Sequence, residues 1–160
     1  MAKVKTITRK HKTPSVWKGS MTMENAYSSG LAGEKTLQAL KNDGVFLATR
    51  CDACDIIYFP ARLYCERCFS RILETDKIIG PYGSVESWSR VAIDQKGKKL
   101  SKPYHAVLIR LDGANTLLLH RLEMPTEPYF GLKVRHVLKE QDKRRGSITD
   151  ILCFKPLPQN

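Results

Sequence analysis

Short runs in which apolar and polar residues alternate fill the second half of the chain, and they predict β-strands. Five such runs span residues 85–93, 104–111, 115–122, 132–140 and 147–154. Asp112-Gly113, between the second and third runs, is a dipeptide typical of tight hairpin turns. The first run alternates imperfectly, so we expect a bulge or a strong bend in it. Five strands of this length, with no helical pattern between them, favour a small closed or partly closed barrel such as an OB-fold.

The pattern in residues 21–44 is helical, but two glycines interrupt it and predict a hairpin of two short helices. The second helix places Leu37 and Leu40 on one face and should end at the Asn-Asp-Gly sequence of residues 42–44. A single pair of leucines is a thin core. The hairpin should therefore dock elsewhere in the chain or on a partner.

Changes in composition divide the chain into four parts. Residues 1–20 are polar, basic and without a periodic pattern, and residues 80–83 (Gly-Pro-Tyr-Gly) mark a turn before the predicted barrel. The predicted class is mainly β. The parts are a basic N-terminal arm (1–20), the helical hairpin (21–44), a cysteine-rich ribbon (45–72) and the barrel domain (73–160).

Four of the five cysteines form two Cys-x-x-Cys pairs, Cys51/Cys54 and Cys65/Cys68, with ten residues between the pairs. Each pair brings two sulfurs close enough to share one ion, and two facing pairs supply the tetrahedral thiolate set of structural zinc. A site closed by four cysteines has no position for substrate or water. We therefore predict a zinc ribbon in which the metal stabilises the fold and takes no part in catalysis.

Other uses of these cysteines fit the sequence less well. Disulfides require a secreted chain, and the start of this one lacks the apolar segment of a signal peptide. A redox motif needs one pair beside a βαβ pattern that the sequence does not show. Iron uses the same four ligands and stays open. The fifth cysteine, Cys153, lies in an apolar run and is expected to be a buried hydrophobic residue.

The residue after the second cysteine of each pair often has a left-handed backbone in such turns. Asp55 tolerates that conformation and Phe69 tolerates it poorly, so the second turn should be less regular than the first.

The net charge of +11, from 27 Lys and Arg against 16 Asp and Glu, indicates either a polyanionic partner or a solvated basic surface. Lysines and arginines cluster in the first 18 residues, in residues 96–102 and in residues 143–145. The composition is that of a globular protein. No apolar run is long enough to cross a membrane, and we expect a cytoplasmic protein with reduced cysteines.

The order of these parts resembles the acyl-CoA-associated zinc-ribbon/OB-fold family. The cysteine segment is similar to that family's rubredoxin-like ribbon, with its aromatic and Pro-x-Arg element here at residues 58–62. Weaker resemblances lie at residues 102–107, 131–134 and 154–156, and together they cover roughly residues 25–156. The chain departs from the family in having Ala61 where a second proline is usual, in lacking glycine after each cysteine pair, and in its longer, more basic arm.

The resemblance implies an accessory subunit without catalytic residues of its own. Members of the family accompany thiolase-type enzymes, including a degradative benzoylsuccinyl-CoA thiolase, or bridge a thiolase and a hydroxymethylglutaryl-CoA synthase; others accompany acyltransferases or hydratases. The resemblance further implies structural Zn²⁺, coenzyme A held at the partner interface, and a catalytic cysteine supplied by the partner. Such a partner would be a thiolase-fold enzyme, with two copies of each chain following its two-fold symmetry.

Coenzyme A carries a 3′-phosphate and a pyrophosphate, which favour Lys and Arg at a pocket rim. The predicted loop 95–103 supplies such cations beside the barrel mouth. The candidate phosphate contacts are Lys98, Lys99 and Lys102, followed by Arg62 and Arg90, and for each a solubilising surface charge is the alternative.

Neither a catalytic set nor a phosphate-binding glycine loop is evident in the sequence. His105, His120 and His136 each fall within a predicted strand, where a structural role is expected, and the fourth histidine is His11. The competing class is a nucleic-acid-binding protein, since basic charge, a zinc ribbon and an OB-fold are common there. Aromatic residues make up only 8% of the chain, which leaves few platforms for stacking bases and disfavours this class.

Overall fold

The computed structural model describes residues 19–158; the basic residues of the predicted arm, within 1–18, lie outside the described part. Two short 3-10 helices, Gln141–Lys143 and Ile148–Asp150, lie near the end of the chain. The described residues also form one α-helix and eight strands: α1 Gly30–Asn42, β1 Phe46–Cys51, β2 Ile56–Tyr58, β3 Asp76–Ile79, β4 Tyr82–Ile93, β5 Lys99–Leu111, β6 Leu117–Leu122, β7 Lys133–Leu138 and β8 Ile151–Pro156.

Strands β4 to β8 close into a barrel in the order β4-β5-β6-β8-β7, which confirms the predicted five-stranded barrel. All neighbouring pairs are antiparallel except β6 and β8, which run parallel at Leu122 and Phe154. The predicted irregularity of the first barrel strand is confirmed by two shifts in register between β4 and β5. Alternate residues point inward, and Val85, Val107 and Ile109 are fully buried.

The barrel closes at Gly83, which pairs with β5 on one side and with β7 on the other. A Cβ at this position would lie 2.6 Å from the carbonyl oxygen of Arg110 and 2.8 Å from Cγ2 of Ile109. Glycine is therefore required here because the two backbones approach too closely for a side chain.

The ribbon forms a second, three-stranded sheet in the order β2-β1-β3. Strand β3 pairs antiparallel with β1, from Phe46 opposite Ile79 to Thr49 opposite Asp76. The ribbon's sheet thus includes residues beyond position 72, where the sequence placed the start of the barrel domain.

The N-terminal helical region is one helix, where the sequence predicted a hairpin of two. Gly30, its first residue, has a φ of 68°, and no regular structure is assigned to residues 19–29. The apolar side chains of this segment are exposed: Met21 by 83%, Met23 by 67% and Tyr27 by 91%. A short helix is marginal without an apolar face to bury, so nothing holds these residues helical.

Helix α1 docks on the ribbon of its own chain. This is one of the two arrangements expected from the sequence, the other being docking on a partner. Thr36 Oγ1 donates to the carbonyl oxygen of Leu47 (3.1 Å) and accepts from the backbone N–H of Ala61 (3.0 Å). Leu40 is 2% exposed and belongs to a single core cluster that continues through the ribbon residue Phe46 and into the barrel. The helix, ribbon and barrel therefore share one hydrophobic core.

Candidate zinc centre and ligand-binding surfaces

The four cysteines of the ribbon meet at one point. Cys51 ends strand β1, Cys54 lies in the turn that follows, and Cys65 and Cys68 lie in a second turn facing the first. Their four Sγ atoms all lie within 4.8 Å of one another. Tetrahedral zinc with bonds of about 2.3 Å places its sulfur ligands roughly 3.8 Å apart, so small shifts of the side chains complete the coordination.

Both cysteine turns use the same backbone conformation. Asp55 has a φ of 51° and Phe69 a φ of 58°, so the second turn repeats the left-handed geometry of the first despite its phenylalanine. The turn is fixed by backbone hydrogen bonds from Phe69 N to Cys65 O and from Cys65 N to Ser70 O, both 3.0 Å long. The ring of Phe69 is 77% exposed and meets no crowding on the solvent side.

Hydroxyl groups lie beside two of the four sulfurs and favour their thiolate forms. The hydroxyl of the fully buried Tyr58 lies 3.3 Å from Cys65 Sγ, and its hydrogen bond lowers the pKa of that thiol to about 6. The hydroxyl of Ser70 lies 2.9 Å from Cys68 Sγ and lowers the pKa of that thiol too. Metal ligation needs deprotonated sulfur, and donors of this kind orient and tune the ligands. The donor set fits structural zinc and leaves no coordination position open.

A second feature is the part of the β4–β5 pair that extends past the barrel, residues 90–102, which we term the basic hairpin. Strand β6 pairs with β5 only from His105 to Arg110, so the earlier residues of β5 pair with β4 alone. The carboxylate of Asp94 accepts the backbone N–H groups of Lys96 and Lys98, both at 2.8 Å, and closes the turn.

Four of the five candidate coenzyme A contacts lie on this hairpin. Arg90 is on β4, Lys98 in the turn, and Lys99 and Lys102 on β5. The sequence placed Lys99 and Lys102 in a loop, whereas the structure continues the strand through them. All four side chains are exposed, and within residues 19–158 none has a carboxylate within 4.0 Å.

Arg62, the fifth candidate, lies apart from the other four. Its guanidinium bonds Glu66 at 2.5 Å and lies 4.7 Å from the ring centroid of Tyr58. The ribbon meets the barrel at the turn after β5, where the backbone N–H of Phe59 donates to Thr116 Oγ1 at 2.8 Å. Lys99 begins the same 13-residue strand, roughly 40 Å away along its length. The structure therefore does not bring Arg62 to the basic hairpin.

The histidines of the barrel lie in β5, β6 and β7, as the pattern predicted. His136 packs on Phe46 with ring centroids 4.6 Å apart, and its Nδ1 lies 3.1 Å from the carbonyl oxygen of Pro81. His120 Nδ1 is buried with no hydrogen-bond partner among the described residues. The rings of His120 and His136 pack against aromatic neighbours, which is what structural histidines do.

Cys153 is buried, as expected, and its thiol donates to Glu123 Oε2 at 3.3 Å. Burial raises the pKa of this thiol to about 11, so it stays protonated at neutral pH and is a poor nucleophile.

A third feature, which sequence reasoning missed, is a concave surface that we term the C-terminal cleft. It has a volume of about 610 Å³ and lies between the Asp43-Gly44 turn, strand β7, Arg144 and residues 155–158. Its lining comes from four distant parts of the chain, so no local motif announces it. The one feature of the sequence that relates to the cleft is the basic run 143–145, which contains the lining residue Arg144.

No helix in the described part of the chain combines the length and apolar character that a membrane span requires.

Comparisons with known proteins agree with this architecture. Residues 39–74 match the family described as ChsH2, rubredoxin-like zinc ribbon domain. A DUF35 domain-containing scaffold protein of Methanocaldococcus jannaschii is 28% identical over 122 residues, which are 74% of this chain and 86% of that protein.

Two solved structures share the fold. A crystal structure from Sulfolobus solfataricus, of a DUF35-family protein of unknown function, is 32% identical with a TM-score of 0.58, covering 68% of this chain and 78% of that one. The Ltp2–ChsH2(DUF35) aldolase matches at 22% identity with a TM-score of 0.58, covering 83% of this chain and 98% of that one.

Proposed function

This chain belongs to the DUF35 family of zinc-ribbon/OB-fold proteins, and from that premise we propose that it is a non-catalytic subunit of a thiolase-type acyl-CoA enzyme. Two relatives support this assignment. One is described as a scaffold protein, and the other belongs to the Ltp2–ChsH2(DUF35) aldolase, whose name joins two components. The proposed complex contains two copies of each chain, following the two-fold symmetry of the partner.

The observation that carries the proposal is a group of exposed apolar side chains ahead of helix α1 and in its first turn. Met21, Met23, Tyr27 and Leu31 are between 67% and 91% exposed and are close together in the sequence. Large apolar side chains that are exposed together in one segment are costly in a free protein and typical of an interaction site. These side chains are not buried in the chain's own core, and a partner surface that covers them would remove them from water.

The chemistry within the described residues supports a subunit without a reaction of its own. The four-thiolate centre has no open position, and Cys153 is buried with a raised pKa. In the complex, the nucleophile of a thiolase-type reaction therefore comes from the partner.

The basic hairpin is the proposed contact for the phosphates of coenzyme A. Arg90, Lys98, Lys99 and Lys102 offer four cations that no carboxylate of the described chain neutralises, on a hairpin that projects from the barrel. Phosphate oxygens form strong, charge-assisted hydrogen bonds with such groups. The pocket that receives the rest of the molecule is completed by the partner.

The aromatic residues near this hairpin are engaged, which favours coenzyme A over nucleic acid. Trp88 packs against the core and its indole N–H donates to Glu127 at 3.4 Å. The ring of Tyr104 is covered by Arg121, whose guanidinium carbon lies 5.0 Å from the ring centroid. Both rings therefore already have neighbours, which leaves less free aromatic surface for stacking single-stranded nucleic acids.

Replacing Met21 and Tyr27 with serine should release the partner without unfolding the protein, because both side chains are exposed. Co-expression with a thiolase-fold enzyme of the same organism, followed by gel filtration and a thiolysis assay, measures this. The parent should co-elute with an active partner, and the double variant should elute alone with its zinc retained. Deleting residues 1–42, the more obvious test, would also remove Leu40 from the core.

Leu119→Ser is the matched control, since Leu119 is 64% exposed on the barrel and away from the N-terminal segment. It should leave the complex intact. A partner that is fully active alone, or a parent chain that never co-elutes with a thiolase-fold enzyme, would contradict the proposed function.

In the assembled complex, Lys98→Gln combined with Lys99→Gln should weaken coenzyme A binding about tenfold or more, because two charge-assisted contacts are lost. Calorimetric titration at physiological salt measures the dissociation constant. The control combines Lys41→Gln and Lys77→Gln, which removes the same charge from the helix and ribbon and should change affinity little. Tight, salt-resistant binding of single-stranded DNA with no coenzyme A binding would instead favour a nucleic-acid-binding protein.

A further inference from the structure

The C-terminal cleft gathers positive charge from three separate elements. Arg135 comes from β7, Arg144 from the segment that joins β7 to β8, and Lys155 from β8 itself. Asp43 is the one acidic residue of the lining. The cleft is concave, and its volume of about 610 Å³ is in the range of small-molecule sites, which hold roughly 300–1,000 Å³.

The two guanidinium groups of the cleft have no acidic partner. Among the described residues, no carboxylate lies within 4.0 Å of either Arg135 or Arg144, whereas Lys155 reaches Glu123 at 3.4 Å. The guanidinium carbon of Arg135 lies 5.9 Å from the ring centroid of Tyr82. Both arginines are therefore available to an anion from outside the chain.

Arg144 is held in place before any ligand arrives. Its Nε donates to the carbonyl oxygen of Lys139 at 2.9 Å. Its Nη1 passes so close to Gly44 that a Cβ there would lie 2.7 Å from it. Gly44 has a φ of 69°, which favours glycine. The lack of a side chain at this position also leaves room for the guanidinium of Arg144. A fixed guanidinium loses little conformational entropy when it binds a ligand.

Arg135 and Arg144 line the cleft together with His136. Burial lowers the pKa of His136, and the positive charges of Arg135 and Arg144 lower it further. The imidazole is therefore neutral at physiological pH and adds no charge to the cleft. The apolar part of the lining comes from Val137, Leu138, Pro156 and Leu157.

We propose that the C-terminal cleft is a binding site for a phosphate monoester that carries an apolar or planar organic part, as a nucleotide does. A planar guanidinium presents paired donors that match phosphate oxygens. The apolar lining next to the two arginines accommodates the organic part of the ligand. The concave shape fits a small molecule better than a polynucleotide, which needs an extended track. The site lies outside the basic hairpin and goes beyond the function proposed above.

The test is calorimetric titration of the full-length, zinc-loaded protein with adenosine 5′-monophosphate at physiological salt. Adenosine, which lacks the phosphate, should bind at least tenfold more weakly. Arg135→Gln should also weaken binding of the nucleotide about tenfold, because it removes a charge-assisted contact. Arg135 is exposed and outside the core, so the variant should unfold at the temperature of the parent. Arg144→Lys keeps the charge, loses the paired donors and should weaken binding as well.

The control variant is Lys77→Gln, which removes one exposed positive charge from strand β3 of the ribbon and should leave nucleotide affinity unchanged. The proposal is overturned if the nucleotide does not bind at millimolar concentration, if adenosine binds equally well, or if Arg135→Gln weakens binding no more than Lys77→Gln does. Titration of the assembled complex with coenzyme A tests whether the cleft is separate from the coenzyme A site. Arg135→Gln should leave coenzyme A affinity unchanged, and a loss of that affinity would overturn the proposal that the cleft holds a different ligand.

Discussion

Cys51→Ser should yield a protein that holds no zinc and has lost its ordered ribbon. The cluster at the centre of the ribbon consists of Cys51, Tyr58, Cys65 and Ile72, so half of it is metal ligands. A sheet of three short strands with so small a core depends on the apparent free energy of metal binding, roughly 10–16 kcal/mol in zinc-finger peptides. Losing one of four thiolates removes much of that contribution.

The damage should extend beyond the ribbon, because Phe46 and Ile79 of the ribbon sheet belong to the same core cluster as the barrel. We therefore expect the thermal unfolding midpoint of the whole protein to fall, with the ribbon resonances losing dispersion in NMR spectra. Metal content measured by mass spectrometry should be one zinc per parent chain and none per variant. The same measurement distinguishes zinc from iron.

Cys153→Ser is the matched control for this experiment. Cys153 is also a buried cysteine, but it lies in β8 and its partner is Glu123. The variant should keep one metal ion per chain and lose only a small part of its stability. A parent that is fully folded after chelation, or a Cys51→Ser variant as stable as the parent, would show that the metal is not structural.

The elements that the sequence predicts well are those fixed by local chemistry. The spacing of Cys51, Cys54, Cys65 and Cys68 determines which side chains meet, because each pair forms one turn and two turns share one ion. Alternation similarly identifies barrel strands, since a half-buried strand needs an apolar residue at every second position. Even the irregular strand β4 showed its bulges as a broken alternation.

The elements that the sequence predicts poorly depend on partners distant in the chain. Residues 99–102 are too polar to be recognised as a strand, yet they extend β5 because β4 lies beside them. The short strand β3 exists because β1 has a free edge to pair with. In the opposite direction, residues 21–29 have a helical pattern but no surface to bury it against, so the first helix of the predicted hairpin is not formed.

The C-terminal cleft is the clearest case of information that local patterns do not contain. Asp43, Arg135, Arg144 and Lys155 come from four separate segments, and only the closure of the barrel brings them together. Arg62 shows the converse, since a family motif drew attention to it while its charge is engaged by Glu66 on the ribbon.

Asp150→Asn should destabilise the protein by about 3 kcal/mol, because Asp150 is a fully buried carboxylate at the centre of a hydrogen-bond network. It accepts three backbone N–H groups, those of Arg145, Gly146 and Ser147, at 2.9, 2.8 and 3.1 Å. Its other oxygen accepts a hydrogen bond from the ammonium group of Lys139 at 3.2 Å. The asparagine amide has only one acceptor oxygen. Its NH₂ group would face a donor in place of the second carboxylate oxygen, so at least one hydrogen bond would be lost.

The network also fixes the direction of the pH dependence. Burial by itself raises the pKa of Asp150, but the backbone donors and Lys139 outweigh it and hold the pKa below its ordinary value. A carboxyl group with a lowered pKa in the folded state stabilises the protein above its unfolded pKa of about 3.9. That contribution is lost as the pH falls through the lower folded pKa. The difference in stability between parent and variant should therefore be constant near neutral pH and shrink below about pH 4.

Urea denaturation at a series of pH values measures both effects, and Asp142→Asn provides the control. Asp142 lies in the same connection between β7 and β8 but is exposed, so its replacement should change stability by less than about 0.5 kcal/mol. A loss below about 1 kcal/mol for Asp150→Asn, or a difference from the parent that does not shrink in acid, would show that the buried carboxylate is not what holds this connection. Because Arg144 projects from the same connection, the Asp150 variant should also weaken nucleotide binding in the C-terminal cleft, whereas Asp142→Asn should not.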